Sequence, residues 1–165
     1  MRYSILIFLL LITFSAFSQN YWHAAGVRGG LSSGITYKKF LDDENAFEGM
    51  ISFKRGIKFT LLKEVHEPKF NEFVENLYVF HGFGGHLGFL NKDYNSETIK
   101  IINTELNKSY TTPVIGLDAI MGIEYRFESV PFVIGIEYKP YFDLFGKSIF
   151  DIHLGDFAFA LKYTY

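Results

Sequence analysis

Residues able to do chemistry are spread along this chain in alternating segments. Arg28, Lys38, Glu48, Lys54, Lys58, Glu64, Asp118, Glu124, Arg126, Glu137, Lys139, Asp156 and Lys162 all fall on the polar side of such segments. Both signs are well represented, so the chemistry on offer is mutual neutralisation. Gathered out of water these groups must pair, because a lone buried charge is strongly unfavourable. The sharper alternative is a gated path for ions or a solute. The five histidines raise catalysis or metal binding. His81 and His86 are an odd number of residues apart, so on one strand they point to opposite faces and cannot chelate together. His153 lies near Asp151, but no segment pairs a Ser and a His as a hydrolase needs. Asp42-Asp43-Glu44 lacks the spaced ligands of a calcium loop. Gly82-Phe83-Gly84-Gly85 opens no helix and is no phosphate loop. No catalytic residue, metal ligand or cofactor site is expected, and the chain is read as a non-enzyme.

The elements that must position these side chains are strands. In Asp156–Tyr165 every odd position is large and apolar or aromatic, and every even one is small, polar or charged. Side chains alternate faces along a strand, so this is a strand with one greasy and one polar face. Segments at about 23–31, 35–41, 46–54, 57–66, 77–90, 114–127 and 132–142 read similarly, which makes eight strands. Short breaks fall at 42–45 and 128–131, a long polar loop at 91–113 and a second loop at 143–155. The break at 68–76 is less regular. Phe70, Phe73 and Val74 have helical spacing after Pro68, which predicts a short helix there.

An even strand number with short breaks at one end and long ones at the other is the pattern of a bacterial outer-membrane barrel. Alternation alone does not separate it from a soluble, lipocalin-like periplasmic barrel with a small apolar ligand. Size does. The apolar face carries Phe, Ile, Leu, Val or Tyr at nearly every site, too much for the interior of an eight-stranded barrel. The opposite face carries Gly26, Gly30, Gly82, Gly84, Gly88, Gly116, Gly122, Ala158 and Ala160, which suit a narrow lumen. The expected fold is therefore all-β, an eight-stranded antiparallel up-and-down transmembrane β-barrel. Aromatics make up 19% of the chain, with 19 Phe and 11 Tyr. They sort into two belts. Tyr21, Trp22, Phe47, Tyr125, Phe127, Phe132, Tyr163 and Tyr165 form one, and Phe53, Phe59, Phe89, Phe142 and Phe157 the other, as interfacial girdles require.

Residues 1–18 read as a cleavable signal peptide, with a basic start at Arg2, an apolar run over Ile5–Phe14 and small residues before Gln19. The barrel domain then covers 19–165. There are no cysteines, so neither disulfides nor a lipid-modified N-terminal Cys is available. The net charge of −2 and the lack of a basic patch argue against nucleic acid.

The chain resembles the small eight-stranded outer-membrane β-barrels of the OmpA/OmpX-like class, in Bacteroidetes-type form. The resemblance rests on the Phe17-Ser18-Gln19 junction and on the stretch from Gly29 to Lys38. Gly122-Ile123-Glu124-Tyr125, its counterpart Gly135-Ile136-Glu137-Tyr138 and the terminal Tyr163-Thr164-Tyr165 carry the rest. It implies an outer-membrane location, lipid contact and monomeric assembly. It also implies that Tyr165 is the signal read by the barrel-assembly machinery. The function expected is a barrel with a charge-plugged lumen and a structural or surface-binding role through its outer loops, with any loop partner unspecified. The alternatives are the soluble carrier above and an outer-membrane lipid-modifying enzyme.

Overall fold

Two-residue periodicity over most of the chain builds strands and little else. A computed structural model of the chain describes residues 21–53, 56–68, 74–92, 110–145 and 150–165. The strands are β1 (His23–Gly30), β2 (Gly34–Phe40), β3 (Asn45–Ser52), β4 (Gly56–Glu67), β5 (Leu77–Lys92), β6 (Tyr110–Arg126), β7 (Phe132–Tyr138), β8 (Tyr141–Phe145), β9 (Asp151–His153) and β10 (Phe157–Thr164). All pairings are antiparallel. Neighbours in sequence pair from β1 to β7, β7 pairs with β10, and β10 returns to β1. That closes an eight-stranded up-and-down barrel made of β1–β7 and β10. The seam runs from Ala24↔Thr164 to Gly30↔Ala158. His23 and Tyr165 extend it by exchanging backbone hydrogen bonds at 3.2 and 2.9 Å.

The last hairpin is longer than the alternation predicts. β8 continues the line of β7 past Lys139-Pro140 and pairs with β6, and β9 pairs with β8. Much of the expected second loop, 143–155, is thus a ribbon projecting from the wall. Proline explains the break: its ring removes one ladder donor. The Pro140 carbonyl still accepts from Ala119 N–H at 2.9 Å. Both ends of the expected long loop, 91–113, are strand, since β5 runs to Lys92 and β6 begins at Tyr110; 93–109 lie outside the described residues. The helix expected after Pro68 falls mostly outside the described residues, as does the whole of 1–18. At the end of that segment Asn76 takes a positive φ of 66°, which turns the chain into β5.

The faces sort as the alternation predicts, with an inversion relative to a soluble domain. Leu61, Phe83, Leu87, Phe89, Ile115, Leu117, Ile136, Phe157, Phe159 and Leu161 are exposed on the outside. The largest fully buried side chains include Lys38, Lys139, Lys162, Glu48, Glu64 and Glu137. An apolar island of Met50, Leu62, Phe80 and Ile120 sits among them. Space for it comes from Gly122, where an added Cβ would meet the Phe80 ring at 2.7 Å and the Ile136 carbonyl at 2.4 Å.

Candidate functional site

The interior charges are delivered by strands that each point alternate side chains inward. At the end that carries the β2–β3 and β6–β7 turns, Lys38 is the hub. Its Nζ lies 3.0 Å from Glu48, 2.8 Å from Glu64 and 3.3 Å from Glu124. Arg126 holds Glu124 at 2.8 Å, and the Tyr21 hydroxyl donates to the same carboxylate at 3.1 Å. The Arg126 guanidinium also lies over the Tyr78 ring at 3.7 Å. His66 places Nε2 3.1 Å from Glu64 and Nδ1 3.2 Å from Glu124.

From the hub the pairs climb the barrel. Lys162 bridges Glu48 at 2.8 Å and Glu137 at 3.0 Å. Arg28 takes Glu137 at 2.8 Å and Asp156 at 3.4 Å. Asp156 also accepts from the Ser32 amide at 3.1 Å and makes a short contact with the Ser32 hydroxyl. Lys139 joins Asp156 at 3.7 Å to Asp118 at 2.8 Å. His86 then spans Asp118 at 2.6 Å and Asp143 at 2.8 Å. His153, half-exposed, lies 3.7 Å from Asp143 and 3.5 Å from Asp151. Ion pairs and histidine–carboxylate contacts thus connect from Arg126 to His153 without a gap wider than 4 Å. In dry surroundings removal of one partner is strongly unfavourable, because the other is left as an uncompensated charge.

Of the residues picked from sequence, Arg28, Glu48, Glu64, Asp118, Glu124, Arg126, Glu137, Lys139 and Lys162 are brought together in this chain of pairs. Lys54 lies outside the described residues. Lys58 is inward and buried but stands apart: its Nζ sits 3.6 Å over the Tyr141 ring. Lys38 and Asp156 belong with the network and sit on the inward face that alternation predicts. His66 and His86 are full members that a search for catalytic or chelating pairs does not find. Both ring nitrogens of each lie within 3.2 Å of a carboxylate oxygen. Asp143 was hidden inside the expected loop. Tyr21 is a correction to the aromatic belt: it turns inward onto Glu124 and packs edge-on against Phe40 at 5.1 Å. Other members keep their place on the outside, with Tyr125 against Phe127 and Phe132 against Tyr163 at 5.0 and 5.5 Å.

At the opposite end, where the β1–β2 and β3–β4 turns lie, the interior opens. A cavity of about 370 Å³ is lined by Ser32, Ser52, Lys58, Tyr141, Asp143, His153 and Asp156, with Leu31, Leu90, Ile152 and Leu154 also on its wall.

Comparison with known proteins adds a shape and no sequence family. No family model matches the chain, and no curated protein matches it. Among solved structures it is similar to the crystal structure of the N-terminal β-barrel domain of Pseudomonas aeruginosa OprF. The TM-score is 0.57 and the identity 12%, covering 87% of this chain and 95% of that one. The closed wall, the antiparallel order and this likeness agree: the chain has the fold of an OmpA-like eight-stranded β-barrel.

Proposed function

We propose that this is an integral outer-membrane protein whose barrel is plugged by its own ion pairs and whose loop end is the working surface. The observation that carries the reading is the inversion of polarity. Lys38, Glu48 and Glu64 are fully buried, while Phe83 and Phe159 are about 70% exposed. Hydrocarbon outside and charge inside is the arrangement of transmembrane barrels, whose edges must also be closed. A soluble carrier would keep its large apolar residues inside, around its ligand.

The lumen is read as a plug because its charges already pair with one another from Arg126 to Asp118. A structural role for the buried histidines fits the same picture, since each lies between two carboxylates. The protein is therefore proposed as a monomeric, non-catalytic barrel reaching the membrane by a cleaved signal. Tyr165, exposed at the seam and stacked on His23 at 5.7 Å, is proposed as the residue the assembly machinery reads. Partners would bind at the loop end.

The test is extraction of cell envelopes followed by electrophoresis in dodecyl sulfate with and without boiling. The expected result is a protein that needs detergent for release and changes mobility on boiling. Release in plain buffer with no mobility change would sink the membrane reading.

A further inference from the structure

The cavity at the loop end holds a cation, Lys58, that makes no ion pair within 4 Å among the described residues. Arg28, Lys38, Arg126, Lys139 and Lys162 each lie within 4 Å of at least one carboxylate. Lys58 is as deeply placed, with 6% of its surface exposed, yet among the described residues it forms no ion pair, and its ammonium lies over the face of Tyr141. A buried ammonium has three donors and is costly to leave unsatisfied. The ring supplies part of the compensation, but it accepts no conventional hydrogen bond. Lys58 therefore faces the cavity with donors to spare, beside the hydroxyl-bearing residues Ser32 and Ser52.

The rest of the wall narrows what the spare donors would hold. Asp143 and Asp156 also line the cavity and are already engaged, by His86 and by Arg28 with Lys139. Their charge disfavours a dianion such as phosphate and tolerates a single negative charge. Leu31, Leu90, Ile152 and Leu154 add an apolar part to the same wall. The volume is at the small end of ligand pockets, which run from about 300 to 1,000 Å³. Inward lies the ion-pair network, and on the proposed reading of that network as a plug the cavity is a blind binding site.

We infer that Lys58 anchors a small organic monoanion, a carboxylate with a short apolar body, in the cavity at the loop end of the barrel. The carboxylate takes the Lys58 ammonium, and the apolar body lies toward the leucines at the wall. The inference stands on the interior geometry and is independent of the membrane reading.

Hexanoate is a suitable probe, because it has the right charge and shape and stays in water. The full barrel, folded in a non-ionic detergent, is dialysed against hexanoate, hexan-1-ol and inorganic phosphate. Saturable hexanoate uptake near one per barrel is expected, with no saturable uptake of the alcohol. Lys58→Met should weaken hexanoate by at least about tenfold, the loss that follows removal of a charge-assisted hydrogen bond, while Lys58→Arg keeps most of it. Lys58→Met should also resist urea at least as well as the parent protein, because it removes a buried charge that makes no ion pair among the described residues. Equal hexanoate binding in the parent and Lys58→Met would overturn the site. Phosphate binding in preference to hexanoate would overturn the ligand class. Marked destabilisation by Lys58→Met would overturn the premise that Lys58 lacks a structural partner.

Discussion

A single ammonium shows how the interior works. Lys38 holds three carboxylates, from β3, β4 and β6, within 3.3 Å. Replacing it by Met would leave Glu48, Glu64 and Glu124 sharing fewer cations in a dry core. Loss of one partner of a buried pair costs about 3–5 kcal/mol, so Lys38→Met should lower the urea midpoint of the barrel in lipid vesicles by a corresponding amount. An unchanged midpoint would mean that water reaches the hub. The inward position of Lys38 was legible, because alternation is a local property of the chain. Its partners were not. Which inward side chains meet across a barrel depends on strand tilt and stagger, and closure of the sheet sets both. His66 and His86 went unassigned for the same reason. His66 has one carboxylate two residues away on its own strand, Glu64, but its second, Glu124, and both of those around His86, Asp118 and Asp143, come from other strands.

At the scale of elements, the turn between β2 and β3 carries its own polar clasp. Asp42 accepts from the backbone amides of Glu44 and Asn45 at 3.0 and 2.6 Å, and from the Asn45 side chain at 3.0 Å. Those donors favour the carboxylate, with the Asn45 amide the largest influence, and hold Asp42 below the usual Asp value. A depressed carboxyl stabilises the fold above its unfolded value, about 3.9, and that contribution fades as pH falls through the lower folded value. Asp42→Ala should therefore reduce amide protection in the β2–β3 turn at neutral pH. The difference from the parent should shrink below about pH 4 and not above it. A difference that stays constant down to pH 2 would assign the effect to packing. The strand positions and faces were legible from sequence, and so was this turn, from its run of acidic residues and Asn. The β8–β9 ribbon was not, because Pro140 and Gly155 interrupt the alternation while the hairpin continues beyond them. Closure likewise places Tyr21 inside, where its hydroxyl reaches Glu124, although type and position along the chain suggest the belt.

For the whole molecule the decisive feature is the seam, where β1 meets β10 and Ala24 lies opposite Thr164. Every other wall pairing joins strands that are close in sequence or linked by one long connection. Tyr165 sits at the end of this seam, its backbone bonded to His23 and its ring stacked on that histidine. Tyr165→Ser should leave secretion of the chain intact and lower the fraction that reaches the heat-shifted form in envelopes. Equal amounts of that form in the two proteins would remove Tyr165 from assembly. The seam also imposes an order in time. Contacts between residues far apart along the chain form slowly, because a long loop must close before they repay its entropy. Hairpins β1–β2 through β6–β7 can form early and singly. The union of β1 with β10 needs nearly the whole chain and turns an open ribbon into a ring, so until that late moment two strand edges stay unpaired and invite the wrong neighbour. The lifetime of this unclosed ribbon, more than the strength of any bond in the finished ring, is what will decide how many chains survive the journey.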